Sequence, residues 1–103
     1  MTGRTTGPIV LIARMKARPG KARELKDALP ALVAATRRED GCLTYLPHHG
    51  LDDPGLLVMH EVWQSEEHLR AHSVSAHLRA FAELADTLTV GGIEIERLAE
   101  LEV

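Results

Sequence analysis

The run from Ile9 to Lys16, Ile-Val-Leu-Ile-Ala-Arg-Met-Lys, constrains the fold more than any other part of the chain. It is apolar and β-branched, and it is bounded by Pro8 on one side and Pro19-Gly20 on the other, the marks of a buried strand. Strand side chains alternate between faces, so Ile9, Leu11 and Ala13 point one way while Val10 and Ile12 point the other. Both sets are apolar. Neither face can be left to water, and a sheet built around this strand needs cover on both sides.

From Lys21 the period changes to that of a helix. Ala22, Leu25, Leu29, Leu32, Val33 and Thr36 share one side, and Lys21, Glu24, Asp27, Arg37 and Arg38 take the other. The pattern predicts one amphipathic helix ending before Gly41 and kinked where Pro30 removes a backbone donor. Cys42 to His48 and Leu56 to Trp63 then read as two strands of a hairpin, joined by the turn-rich Gly50-Leu-Asp-Asp-Pro-Gly55. Ser65, followed by Glu66 and Glu67, is a helix start. That helix should run to Asp86 in two pieces divided at Ser73-Val74-Ser75, with Leu78, Phe81, Ala82 and Ala85 on its apolar side. After Gly91-Gly92, the alternation of Ile93, Glu94, Ile95 and Glu96 gives a last strand.

The order strand, helix, strand, strand, helix, strand predicts an α+β domain of the ferredoxin-like βαββαβ type, with a four-stranded antiparallel sheet. Its helices cover one face. The remaining apolar face is expected to pack on a second copy, giving a homodimer joined through its sheet faces. The expected boundaries are a flexible N-terminal segment at 1–8 and a single domain at 9–103.

Composition narrows the function. Twelve lysines and arginines against 15 acids give a net charge of -3. The basic residues are scattered, so nucleic acid is not an expected partner. No run reaches the ~18 apolar residues of a membrane span, and Met1 to Pro8 lacks the apolar stretch of a secretory signal. A lone cysteine, Cys42, agrees with a reducing compartment, so a cytoplasmic location is expected. Cys42 itself reads as a small buried residue, since nothing nearby would activate its thiolate. The chain has one Trp, one Tyr and one Phe, but six histidines, all of them from His48 to His77. Chemistry is expected there, although His48-His49 beside Gly50 reads as part of a solvated turn.

The segment after Glu61 places Trp63, Ser65, Glu67, Leu69, His72, Ser75, His77 and Phe81 at fixed intervals. Together with Arg18-Pro-Gly-Lys21 and Gly41-Cys-Leu-Thr-Tyr45, it resembles the antibiotic biosynthesis monooxygenase family over about residues 9 to 98, especially its small quinol-monooxygenase-like members. The resemblance implies a dimeric α/β barrel that oxidises a small aromatic or quinol substrate with O2 and uses no metal, haem or flavin cofactor. In polyketide-tailoring members an asparagine and a tyrosine flank the matching tryptophan, and those positions here are Met59 and Leu69. A smaller quinol therefore fits better than a tricyclic polyketide. The asparagine and axial histidine of haem-degrading relatives fall at Ala13 and Ala82, which disfavours haem degradation.

An electron-rich hydroxyarene that loses its proton can pass an electron to O2 directly, so the protein need only bind it, deprotonate it and exclude water. His72 shares a helix face with Leu69 and is the expected base, its alternative being a half-buried histidine bonded to the backbone or to Ser75. Met59, Glu61 and Trp63 project from one face of their strand. Glu61 is expected as an acid or histidine partner, or else in an ion pair with an arginine. Trp63 either floors a pocket for a flat ring or is a core residue. The catalytic set is thus His72, Glu61 and Trp63, with Tyr45, Met59, Leu69 and Phe81 lining the substrate site. His68 and His72 stand four apart, with His77 or Glu61 as further candidate ligands, yet no convergent donor set follows from the spacing and no metal is expected. The competing functions are a non-catalytic dimeric binding or stress module and a cofactorless isomerase of a small carbonyl metabolite.

Overall fold

The computed structural model describes residues 7–103, so most of the expected flexible segment 1–8, namely residues 1–6, lies outside the described residues. The elements follow the order β1 (Ile9–Lys16), α1 (Ala22–Asp27), α2 (Leu29–Arg37), β2 (Cys42–His49), β3 (Leu56–Trp63), α3 (Glu66–Ser73), α4 (Ala76–Leu88) and β4 (Glu94–Leu98). The strands form one sheet in the order β2-β3-β1-β4, with every neighbouring pair antiparallel. This is the ferredoxin-like arrangement expected from the sequence.

The strand periodicity sorts the core. Ile9, Leu11, Ala13 and Met15 of β1 and Leu57, Met59, Glu61 and Trp63 of β3 are buried, while Val10, Ile12, Val58, His60 and Val62 on the opposite face are only half-buried. Leu25, Leu29, Leu32 and Val33 from α1 and α2, and Phe81, Ala85 and Leu88 from α4, complete the core on the first face. Among the described residues, no helix lies on the other face.

Two expected boundaries are corrected. The single kinked helix is two helices divided at Ala28, which closes α1 and opens α2 with the same φ of -84°. Pro30 falls in the first turn of α2, where a missing N–H leaves no hydrogen bond unmade, so the apolar period passes through the break. His48 and His49 end β2 as exposed strand residues and do not form a turn. The break in the second helical stretch is where the sequence puts it: Ser65 Oγ accepts the His68 N–H and Ser75 Oγ accepts the Leu78 N–H, each at 3.3 Å. These caps satisfy orphan donors and fix the start of α3 and α4. Among the described residues, no helix is long and apolar enough to cross a membrane.

Candidate active site

The site begins with an irregularity in the hairpin. Cys42 pairs with Trp63 but Tyr45 pairs with Glu61, so one extra residue bulges from β2 around Leu43. The bulge brings Tyr45 onto the helix-covered face, while Leu43 is left exposed. Tyr45 is 2% exposed beside Glu61. Burial, and next the nearby Glu61 carboxyl, push its hydroxyl above the ordinary tyrosine range, so it is a hydrogen-bond donor and not an acid at neutral pH.

His72 lies in the last turn of α3 and is 3% exposed. Its ring lies 4.6 Å from that of Trp63 at 31° and 5.5 Å from that of Tyr45 at 68°. Trp63 Nε1 donates to Glu61 Oε1 at 2.9 Å, and the same oxygen stands 4.0 Å from His72 Nε2. The other ring nitrogen, His72 Nδ1, contacts Glu39 Oε2 at 2.6 Å. Imidazole, indole and carboxyl therefore meet at one place. Burial raises Glu61 to about 7 against the opposing effect of the Trp63 hydrogen bond, with the Glu39 charge adding to the rise. Burial also lowers His72, which favours the neutral imidazole, and the Glu39 bond resists this.

These groups open onto a cavity of about 360 Å³ between the sheet and the helices α3 and α4. His72, Glu61, Tyr45, Met59, Leu69 and Phe81, all expected at the site, line it. Leu11, Ala13 and Met15 form part of its floor, Leu78 and Ala82 part of its helical wall, and Ile93, Ile95 and Asp86 stand at its rim. Among the described residues, no lysine or arginine lines it. Trp63 is fully buried and outside the lining; it stands behind the wall, against His72 and Glu61. The volume lies near the low end of the ~300–1,000 Å³ of small-molecule pockets, so the cavity suits a ligand of one or two fused rings.

Sequence reasoning missed Glu39. It sits in the turn between α2 and β2, where its N–H bonds to the Thr36 carbonyl at 2.9 Å. Gly41 sets that turn with φ +80°, and a Cβ there would overlap the His68 ring. His77, in the first turn of α4, places Nε2 2.7 Å from the same Glu39 oxygen. The donor set that could hold a metal is thus Glu39, His72 and His77, whose ligand atoms lie within 4.8 Å of one another, and not the His68–His72 pair. His68 is instead bonded through Nδ1 to Ser65 Oγ at 2.7 Å. Cys42 is half-buried, less enclosed than expected, and burial raises its thiol, followed by the charges of Glu39 and Glu61.

Comparison with known proteins agrees with the geometry. The family model described as antibiotic biosynthesis monooxygenase matches residues 8–84. The chain is 31% identical over 85 residues to an Escherichia coli protein named "probable quinol monooxygenase YgiN", covering 73% of this chain and 82% of that one. The solved structure of Rv0793 from Mycobacterium tuberculosis superposes with a TM-score of 0.86 at 31% identity, covering 93% of this chain and 97% of that one. That of PA3566 from Pseudomonas aeruginosa gives 0.86 at 35% identity, over 97% and 100% of the two chains.

Proposed function

Because the chain belongs to the antibiotic biosynthesis monooxygenase family, we propose that it oxidises a small quinol or hydroxyarene with O2 without a cofactor of its own. The observation that carries this function is the pair of an imidazole whose charged form burial disfavours and a high-pKa carboxyl on the wall of a mainly apolar cavity, with Asp86 as the other acid in its lining. His72 Nε2 takes the proton of a substrate hydroxyl, and the electron density moves to the neighbouring ring carbon. One electron passes to O2, the radicals combine into a C–O bond, and the hydroperoxide takes the proton back from His72. His72 then removes the hydrogen of that carbon. The C–H electrons form a carbonyl as the O–O bond breaks, and the departing hydroxide takes the Glu61 proton and leaves as water.

The balance is quinol plus O2 to hydroxyquinone plus water. All four electrons come from the substrate, so no external reductant enters. The proton on His72 returns to Glu61, whose Oε1 stands 4.0 Å from Nε2, and both groups are reset. Trp63 keeps these two groups in place from behind, and the apolar walls exclude the water that would quench the intermediates.

The working unit in this proposal is a homodimer. On the helix-free face, Val10, Ile12, Val58 and Val62 are half-buried while Leu46 and Leu98 are 44% and 45% exposed, an apolar field that a second sheet would cover.

Incubation with menadiol under 18O2 provides the test. The protein should consume O2 well above the buffer rate and place one labelled oxygen in the product. His72→Ala should reduce the excess at least roughly a hundredfold. Unchanged turnover in that variant defeats the assignment of His72 as the base, whereas bound menadiol with no product favours a binding module.

A further inference from the structure

Glu39 and His77 stand outside the cavity wall, yet they are bonded in series to the one imidazole that faces it. His72 Nδ1 and His77 Nε2 both meet Glu39 Oε2, at 2.6 and 2.7 Å. Two nitrogens this close to one oxygen match two N–H donors on a single carboxylate oxygen. Ligand atoms around a tetrahedral transition ion stand about 3.3 Å apart, given metal–ligand bonds of about 2.0 Å, so the spacing favours shared protons over an ion.

A proton held on Nδ1 leaves Nε2 as the lone pair, and Nε2 is the atom on the side of Glu61 and the cavity. We propose that Glu39 is the positioning residue of His72, selecting the tautomer that presents a base to the pocket and carrying the countercharge when that base is protonated, with His77 as the clamp on the Glu39 carboxylate. This role rests on His72 acting as the base. The tautomer it requires does not.

The surroundings leave Glu39 as the group fit for this task. The titratable groups around His72 are Glu61 from β3, Tyr45 from β2, Glu39 from the turn before β2 and His77 from α4. Glu61 is at 4.0 Å and already accepts the Trp63 N–H, and Tyr45 meets His72 ring edge to face. Glu39 alone touches a ring nitrogen within hydrogen-bond distance. The turn that delivers it is rigid: Gly41 is fitted against His68, and the Gly41 carbonyl accepts the Gln64 N–H at 2.9 Å.

The test uses the full chain labelled with 15N, with folding of each variant checked by circular dichroism. Two-bond 1H–15N correlation spectra should show neutral His72 with its proton on Nδ1. In Glu39→Gln that preference should weaken, the His72 titration should move to lower pH, and quinol turnover should fall roughly 10- to 100-fold with KM within about twofold. Glu39→Asp should recover part of the loss, and His77→Phe should give a smaller fall of the same kind. A proton on Nε2 in the unmodified protein, or an unaltered His72 in Glu39→Gln, overturns the proposal. So does stoichiometric Zn2+ binding that displaces both shared protons in the unmodified protein but not in Glu39→Gln, since the triad would then be a metal site. Absent turnover with the Nδ1 tautomer intact would refute the monooxygenase and leave the positioning arrangement standing.

Discussion

The two faces of β3 come from the same residues taken alternately, and they solve opposite problems. Leu57, Met59, Glu61 and Trp63 face the helices and are all buried, whereas Leu56, Val58, His60 and Val62 face away and remain half-exposed. The outer face carries Arg14 and Lys16, in solvated pairs with Glu96 and Asp53. The inner face buries a carboxyl with no lysine or arginine among the described residues of the cavity wall, and burial raises its proton affinity. The first face fits the chemistry proposed above, and the second, with Val10, Ile12 and Val62 around His60, fits the proposed contact with a second copy.

Substitutions on either face test that contrast. The largest effect belongs to Trp63→Ala, which empties a fully buried site and strips the N–H from Glu61. It should cost roughly 3–5 kcal/mol in urea denaturation. A loss below about 1 kcal/mol would mean that the inner face is not a packed support for its acid. Next is Val62→Asp on the outer face, between Val10 and Thr44 of the neighbouring strands. It should weaken self-association about a hundredfold, or roughly 3 kcal/mol, in analytical ultracentrifugation while the monomer stays folded. Unchanged sedimentation would remove the sheet-to-sheet dimer.

The smallest effect comes from Glu61→Gln. The folded Glu61 titrates near 7 and the unfolded one near its ordinary 4.5, so between those values the unfolded chain gives up its proton first. Stability contributed through this group is therefore highest below the lower value, falls as pH rises through the window and is level above the upper one. Glu61→Gln should flatten that slope and stabilise the protein at pH 8 by roughly 1–3 kcal/mol. If the slope persists in the variant, its origin lies elsewhere in the chain.

The strands and caps were legible in the sequence because each depended on local chemistry. Ser65 and Ser75 cap where the apolar period breaks, and the alternation in β1 and β3 grouped the residues that prove buried, although whether Glu61 was buried or in an ion pair stayed open. The division at Ala28 was not legible, since Pro30 is compatible with both a kink inside a helix and the first turn of a new one. Glu39 escaped for a different reason. It is 33 residues from His72 in sequence and lies in a turn where no period points, so only the tertiary fold brings them together. The one local signal was an acid two residues before Gly41. Trp63 was placed beside His72 and Glu61 correctly, but parity along a strand does not tell whether a side chain reaches a void or fills the space behind it.

That Glu39 and His77 sit outside the cavity lining has an evolutionary corollary. Met59, Leu69, Leu78 and Ile95 can be exchanged to admit differently shaped molecules without touching the atoms that orient the imidazole. Under the function proposed above, selectivity and basicity are thus separately heritable in this chain. Paralogues can diverge in what they accept while preserving one reactive nitrogen.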